Sequence, residues 1–130
     1  MGKLSAFLKP SPVGKTKKLV IDRFTDEEGN VAPIIVKSIS PQENEEISNS
    51  CMDANGNLDS SAYGNKLIVA CMQEPNLKDS EICKFYGVID PAMVPGIMFT
   101  IGEKQLIQDA IMDINDIKDA KKKLNEAKNS

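Results

Sequence analysis

A chain of 130 residues, 41% hydrophobic and 27% charged, has room for one domain with one core, and with aromatics at 5% and no Trp that core must be aliphatic, with Met filling gaps. The net charge of −3 is uneven: residues 1–23 hold six Lys or Arg against one Asp and residues 118–130 five Lys against two acids, which leaves −11 for the middle. Such an acidic body disfavours a nucleic-acid partner, the absence of His removes the commonest acid–base and metal-binding side chain, and no apolar run approaches the roughly 18 residues of a membrane span.

The first segment, Met1 to Pro10, breaks before a signal-peptide core can form and lacks the Ser or Thr at position 6 of a myristoylation pattern, so no export or lipid anchor is expected. Leu4, Phe7 and Leu8 lie at i, i+3 and i+4, and a short helix would set all three on one face, available to a partner or a second copy. Residues 9–18 combine two Pro, one Gly and four Lys and read as a linker, making 1–18 a flexible N-terminal segment. Leu19–Phe24 and Val31–Ile39 are rich in β-branched residues and flank the turn cluster Asp26–Asn30, which predicts a β-hairpin with Pro33 at a strand edge or bulge.

Ser40-Pro41-Gln42-Glu43 has the spacing of a capping box, and predicts a helix running to about Cys51 and then a loop over 53–57. Tyr63, Leu67, Ile68 and Cys71 predict a central helix over 60–72, with Gly64 marking a close approach by a neighbouring element. A short helix follows from Asp79 or Ser80 to Tyr86, ended by Gly87; Asp90-Pro91 opens another, which Pro95-Gly96 should end. Thr100 and Glu103 repeat the capping-box spacing, and Leu106, Ile107, Ala110, Ile111 and Ile114 supply the apolar stripe of a second long helix. The expected fold is α+β: an N-terminal hairpin on a bundle of four to five helices, a domain over 19–117, and basic flexible termini, of which 118–130 forms a partly helical tail.

Three patterns imitate functional motifs. Gly14-Lys15-Thr16 ends like a phosphate-binding loop, but Lys9 stands where that loop needs its first Gly. Asp53, Asn55 and Asn57 copy three calcium-loop positions, yet Leu58 and Gly64 occupy those that require Gly and Glu. Glu43, Glu45 and Glu46 are accounted for by the helix dipole, without an acid–base pair. Cys51, Cys71 and Cys83 lack metal or redox spacing and read as reduced, buried thiols; no catalytic residue, cofactor or metal site is expected.

Taken together, Arg23–Gly29, Ile39–Ile47 with Ser50-Cys51, Lys66–Ala70, Glu74–Asp79 leading into Tyr86-Gly87-Val88, Pro95-Gly96 and the last apolar helix resemble the XkdN-like family of phage tail assembly chaperones. Ile97, where the family tends to carry an acid, and Gly14-Lys15-Thr16 depart from the pattern. The resemblance implies a non-enzymatic protein of a contractile phage, prophage or phage-tail-like bacteriocin. Such a protein binds the tape measure protein in the host bacterial cytoplasm while tail tube protein assembles around it, and is absent from the mature particle. A structural tail or baseplate component is the alternative. Self-association through Leu4, Phe7 and Leu8, and salt-sensitive contacts of Lys121, Lys122 and Lys123 with an acidic partner, are the expected protein-binding features.

Overall fold

The computed structural model describes residues 2–8 and 15–115. Its elements run α1 (Gly2–Leu8), β1 (Thr16–Leu19), β2 (Ile34–Lys37), α2 (Pro41–Ser50), α3 (Ser60–Cys71), β3 (Met72–Glu74), α4 (Ser80–Phe85), a 3-10 turn (Pro91–Met93), α5 (Val94–Met98) and α6 (Ile101–Ile114). The class is α+β as expected, with an antiparallel sheet of order β1-β2-β3 set against helices.

Strand β2 is central in the sheet because its apolar residues serve both edges and one face. Ile34 and Val36 are buried at alternate positions, while Thr16 to Leu19 pair with Lys37 to Ile34 on one side. On the other side Ile35 and Val36 pair with Glu74 and Met72 across a bulge. The first strand therefore lies at 16–19, not at 19–24, and includes residues assigned to a linker. Lys17 and Lys18 are tolerated there because β1 is an edge, where exposed lysines discourage further pairing. Residues 20–24 turn instead of continuing: Phe24 N–H bonds the Ile21 carbonyl and the Thr25 hydroxyl bonds the Asp22 carbonyl. Pro33 immediately precedes β2, where its missing N–H costs no ladder bond.

Two loops share one turn design. In Asp26-Glu27-Glu28-Gly29-Asn30 and in Asp53-Ala54-Asn55-Gly56-Asn57, the Asp carboxylate accepts the N–H groups two and four residues on, and a backbone bond joins first residue to fifth. Each fourth residue is a Gly at φ 85° or 80°, a left-handed conformation that L side chains resist. Each turn closes a small antiparallel bridge, Thr25 with Val31 and Met52 with Leu58. The calcium-like spacing of Asp53 is thus a turn whose carboxylate is engaged by its own backbone.

The helix caps follow the sequence closely. Ser40 Oγ accepts from Glu43 N–H, Asp59 and Asp79 cap α3 and α4, and Thr100 with Glu103 forms the full reciprocal box at α6. Gly87 at φ 70° follows α4 as a left-handed terminator. Pro95-Gly96 does not end a helix: Pro95 falls in the first turn of α5, where its lack of an N–H is harmless, and the helix runs on to Met98. Strand β3 was not foreseen, since Met72-Gln73-Glu74 has no β signal and pairs only because α3 delivers it beside β2.

One cluster forms the core: Ile34 and Val36 of β2, Ile68, Val69 and Cys71 of α3, Met72, Leu77, Cys83, Val94, Met98, Phe99, and Ile107, Ala110, Ile111 and Ile114 of α6. It is aliphatic, as the composition requires; Phe99 is its one buried aromatic, packed edge-on against Phe24 at 5.7 Å between ring centres. Cys51, Cys71 and Cys83 are buried free thiols. Leu106 departs from the predicted stripe and is 59% exposed, and Leu67 is half-buried. Ile111→Ala should therefore cost about 2–5 kcal/mol in urea unfolding and Leu67→Ala clearly less. Equal costs would show that the half-exposed Leu67 is as much a part of the core as Ile111.

Candidate functional site

The site begins with two helices that meet closely at one end and part along one side. Gly64 of α3 faces α6, where a Cβ would come within 3.1 Å of Gln108 Nε2, so the close approach predicted at this glycine is real. Lys104 of α6 donates to Asn65 of α3 at 2.8 Å across the same seam. Beside the seam lies a cleft of about 340 Å³, lined by Tyr63, Gly64, Leu67, Ile68, Gln105, Gln108, Ile111 and Met112. No lining residue carries a formal charge. Its floor is the buried pair Ile68 and Ile111, and its walls are half-buried or amide-bearing side chains.

At Leu67 this cleft meets a smaller one of about 200 Å³, lined also by Ile39, Ser40, Pro41, Asn44 and Asn115. Tyr63 links the two by donating its hydroxyl to the side-chain Oδ1 of Asn44, and burial pushes the Tyr63 phenol above its ordinary range. Asn115 fixes the far end: its Oδ1 accepts from Ile39 N–H at 3.1 Å and its Nδ2 donates to the Ile111 carbonyl at 2.8 Å. The groove thus runs along α3 and α6 to the start of α2.

A second set of exposed apolar side chains comes from one stretch of chain. Phe85, Ile89, Met93, Ile97 and Ile101 recur every fourth residue and are exposed, Ile89 completely so. The spacing is visible in the sequence but crosses α4, a turn, α5 and the start of α6, so no single helical face announces it. A third is α1, where Leu4, Phe7 and Leu8 are exposed at the i, i+3, i+4 spacing of one helical face. Lys121, Lys122 and Lys123 lie outside the described residues, as do Gly14 and the linker positions 9–14.

Burial pushes the Cys71 thiol up to about 11, so at neutral pH it is protonated and unsuited to nucleophilic attack. Glu43, Glu45 and Glu46 are exposed along α2. Among the described residues no group of three or more Cys, Asp or Glu is placed to hold a metal ion. Nor is any of their helices long and apolar enough to cross a membrane.

The wall formed by α6 is held by a clamp from the 20–33 connection. Arg23 donates to both Glu103 carboxylate oxygens, from Nε at 2.7 Å and Nη2 at 2.6 Å, and from Nη2 also to the Met98 carbonyl. Its guanidinium lies 4.5 Å from the centre of the Phe24 ring. Glu103 is also the capping-box acid of α6, so one carboxylate ties the hairpin connection to the helix start. Sequence reasoning placed Tyr63, Leu67, Ile68 and Ile111 on helix faces and Gly64 at a close approach, without assigning them to a site, and passed over Gln105, Gln108 and Met112, which flank the apolar stripe of α6 at three- and four-residue spacing.

With this geometry in view, the comparisons identify the class. The chain matches the family described as Phage XkdN-like tail assembly chaperone protein over residues 4–128, nearly its whole length. It belongs to that family of phage tail assembly chaperones. A crystal structure of the protein yqbN superposes with a TM-score of 0.73 at 25% identity, covering 85% of this chain and 93% of that one. No curated protein matches the chain.

The clamp has a defined pH signature. The Arg23 guanidinium, followed by the Thr100 N–H, holds the Glu103 carboxyl down to about 2 from the usual 4.5. A carboxyl with a lowered folded-state pKa stabilises fully above its unfolded value, and that contribution fades as pH falls through the folded value. The stability gap between wild type and Glu103→Gln should be constant at neutral pH and close between about pH 4.5 and 2. A gap of the same size at pH 7 and pH 2.5 would mean that the loss comes from cap geometry alone.

Proposed function

We propose that this tail assembly chaperone binds the tape measure protein of a contractile phage tail, prophage tail or phage-tail-like bacteriocin. It keeps that long chain soluble in the bacterial host cytoplasm until tail tube subunits enclose it, and leaves before the particle is complete. It works by binding alone, without catalysis. The observation that carries the reading is the uncharged cleft between α3 and α6, with apolar floor and amide walls. An amphipathic helix buries its apolar stripe in such a groove, and its sequence matters less than its pattern, as a chaperone for a long helical chain requires.

Leu4, Phe7 and Leu8 of α1 serve a second contact, to a further copy or to the same partner. They are too apolar to be left in water without use and are spaced to act together. The tail tube protein is the other candidate partner, reached once the tape measure chain is held.

Co-expression with the cognate tape measure protein tests the assignment and separates the α3–α6 cleft from the exposed apolar residues of 85–101. The tape measure protein should be recovered soluble and co-purify with wild type and with Ile89→Lys, and be lost with Met112→Lys, whose folding is checked by its melting curve. Loss with Ile89→Lys and retention with Met112→Lys would move the site to the 85–101 surface. A tape measure protein equally insoluble with and without the chain would overturn the reading, as would finding the chain as a stoichiometric component of purified particles.

A further inference from the structure

Helix α1 is left uncovered by the rest of its own chain. Its side chains from Lys3 to Leu8 are all exposed, and Leu4, Phe7 and Leu8, at the spacing of one helical face, are 67%, 78% and 68% exposed. Apart from Lys3 its other residues, Gly2, Ser5 and Ala6, are small, so the helix can lie close against another element.

The tether of α1 is fixed at the end of the α3–α6 cleft. Ser38 N–H donates to the Lys15 carbonyl at 2.9 Å, and Lys15 N–H donates to Ser38 Oγ at 3.1 Å. Ile39 follows directly and lines the smaller cleft, which joins the larger one at Leu67. Lys17, two residues beyond Lys15, is held to Asp113 near the end of α6. Six residues, 9–14, separate α1 from Lys15, and a chain of that length reaches at most about 25 Å, against roughly 10 Å for the length of α1.

The lining of the clefts favours the same place. Lys66 and Lys78 line a cleft of about 430 Å³ together with Glu43, Glu46 and Asp90, five charged side chains that an apolar helix face would strip of water. Another, of about 420 Å³, carries Glu74 and includes Ile34, which pairs with Leu19 at the end of β1 opposite the tether. The α3–α6 cleft of about 340 Å³ and the smaller one that joins it have no charged lining residue.

We propose that α1 docks Leu4, Phe7 and Leu8 into the α3–α6 cleft of a second copy of this chain, which returns its own α1 to the first. The occupant is a second copy because one chain carries both halves of the contact yet leaves these side chains in water. Each tether also starts at a cleft end, so exchange between two chains set end to end needs no more reach than docking at home. Such a contact is isologous and closes as a dimer. The proposal rests on the reading of that cleft as a site for an apolar helix face. With three large side chains per contact the exchange is reversible, dilute chains are single, and a longer partner helix displaces α1.

A nitroxide on Ala6→Cys, the three native thiols being buried, is carried on chains without isotope label and mixed with isotope-labelled wild type. No tape measure protein is present, so failure here leaves tape measure binding untouched, and failure of the co-expression test leaves this contact standing. Loss of amide signal in the isotope-labelled chain should centre on 63–68 and 105–112. The mass read by light scattering should rise from 14.2 kDa towards twice that with concentration. Adding Leu4→Ser, Phe7→Ser and Leu8→Ser to the nitroxide chain should restore the signals, and the same triple variant without label should stay at the mass of one chain, its amide spectrum reporting its folding. Loss seen only when nitroxide and isotope share one chain places α1 in its own cleft and overturns the proposal. Loss centred on another surface, or the mass of one chain at every concentration, overturns it equally.

Discussion

Everything in this fold depends on Ile34 and Val36 of β2 being buried in one cluster with residues of α3 and α6. A chain with so few aromatics must reach native packing density with aliphatic side chains, and these fit only when their neighbours hold fixed positions. Ile68 on α3 and Ile107 and Ile111 on α6 share one cluster with the strand and have essentially no exposed surface. That shared core fixes where the helices lie, and the helices then decide the rest. The end of α3 delivers β3 to the free edge of β2, and the end of α6 brings Asn115 to Ile39. The groove is the cleft that the same two helices line between them.

Around this core the polar contacts act as locators. Arg23 and Glu103 join the hairpin connection to the first turn of α6, and Lys17 and Asp113 join β1 to its last turn at 3.1 Å. The second pair is exposed and adds little energy, whereas the first is bidentate and shares its carboxylate with a helix cap. A helix held at both ends keeps its wall of the cleft in place, and a preorganised wall of this kind lowers the ordering cost of any binding. The turns at Asp26 and Asp53 close their loops with their own backbone and leave the core undisturbed.

Most of the helical architecture was legible because its signals are local. Ser40, Asp79 and Thr100 stand where a cap must stand, and the 3- and 4-residue spacing of Ile107, Ala110, Ile111 and Ile114 marks a buried face. The sheet was harder, since β pairing is decided at a distance. Val20 to Phe24 have the composition of a strand, but Arg23 finds Glu103 and Phe24 finds Phe99, so the chain turns there, and the lysine-rich 16–18 pairs instead. Met72 to Glu74 form a strand only because β2 is waiting. The groove was half legible: Gly64 announced a close approach, but Gln105, Gln108 and Met112 look like ordinary flank residues until the opposite helix is in place. The tail-assembly role came from the order and spacing of several unremarkable segments, a signal that belongs to the whole chain.

The central claim is that the seam between α3 and α6 is both a closed core on one side and an open binding groove on the other. Hydrogen exchange read by mass spectrometry, on the free chain and on its complex with the tape measure protein, addresses both halves at once. The account predicts that peptides spanning 60–71 and 101–114 gain protection on binding, while those spanning 80–98 are unchanged. Protection gained only over 80–98, with the α3 and α6 peptides unaltered, would contradict it.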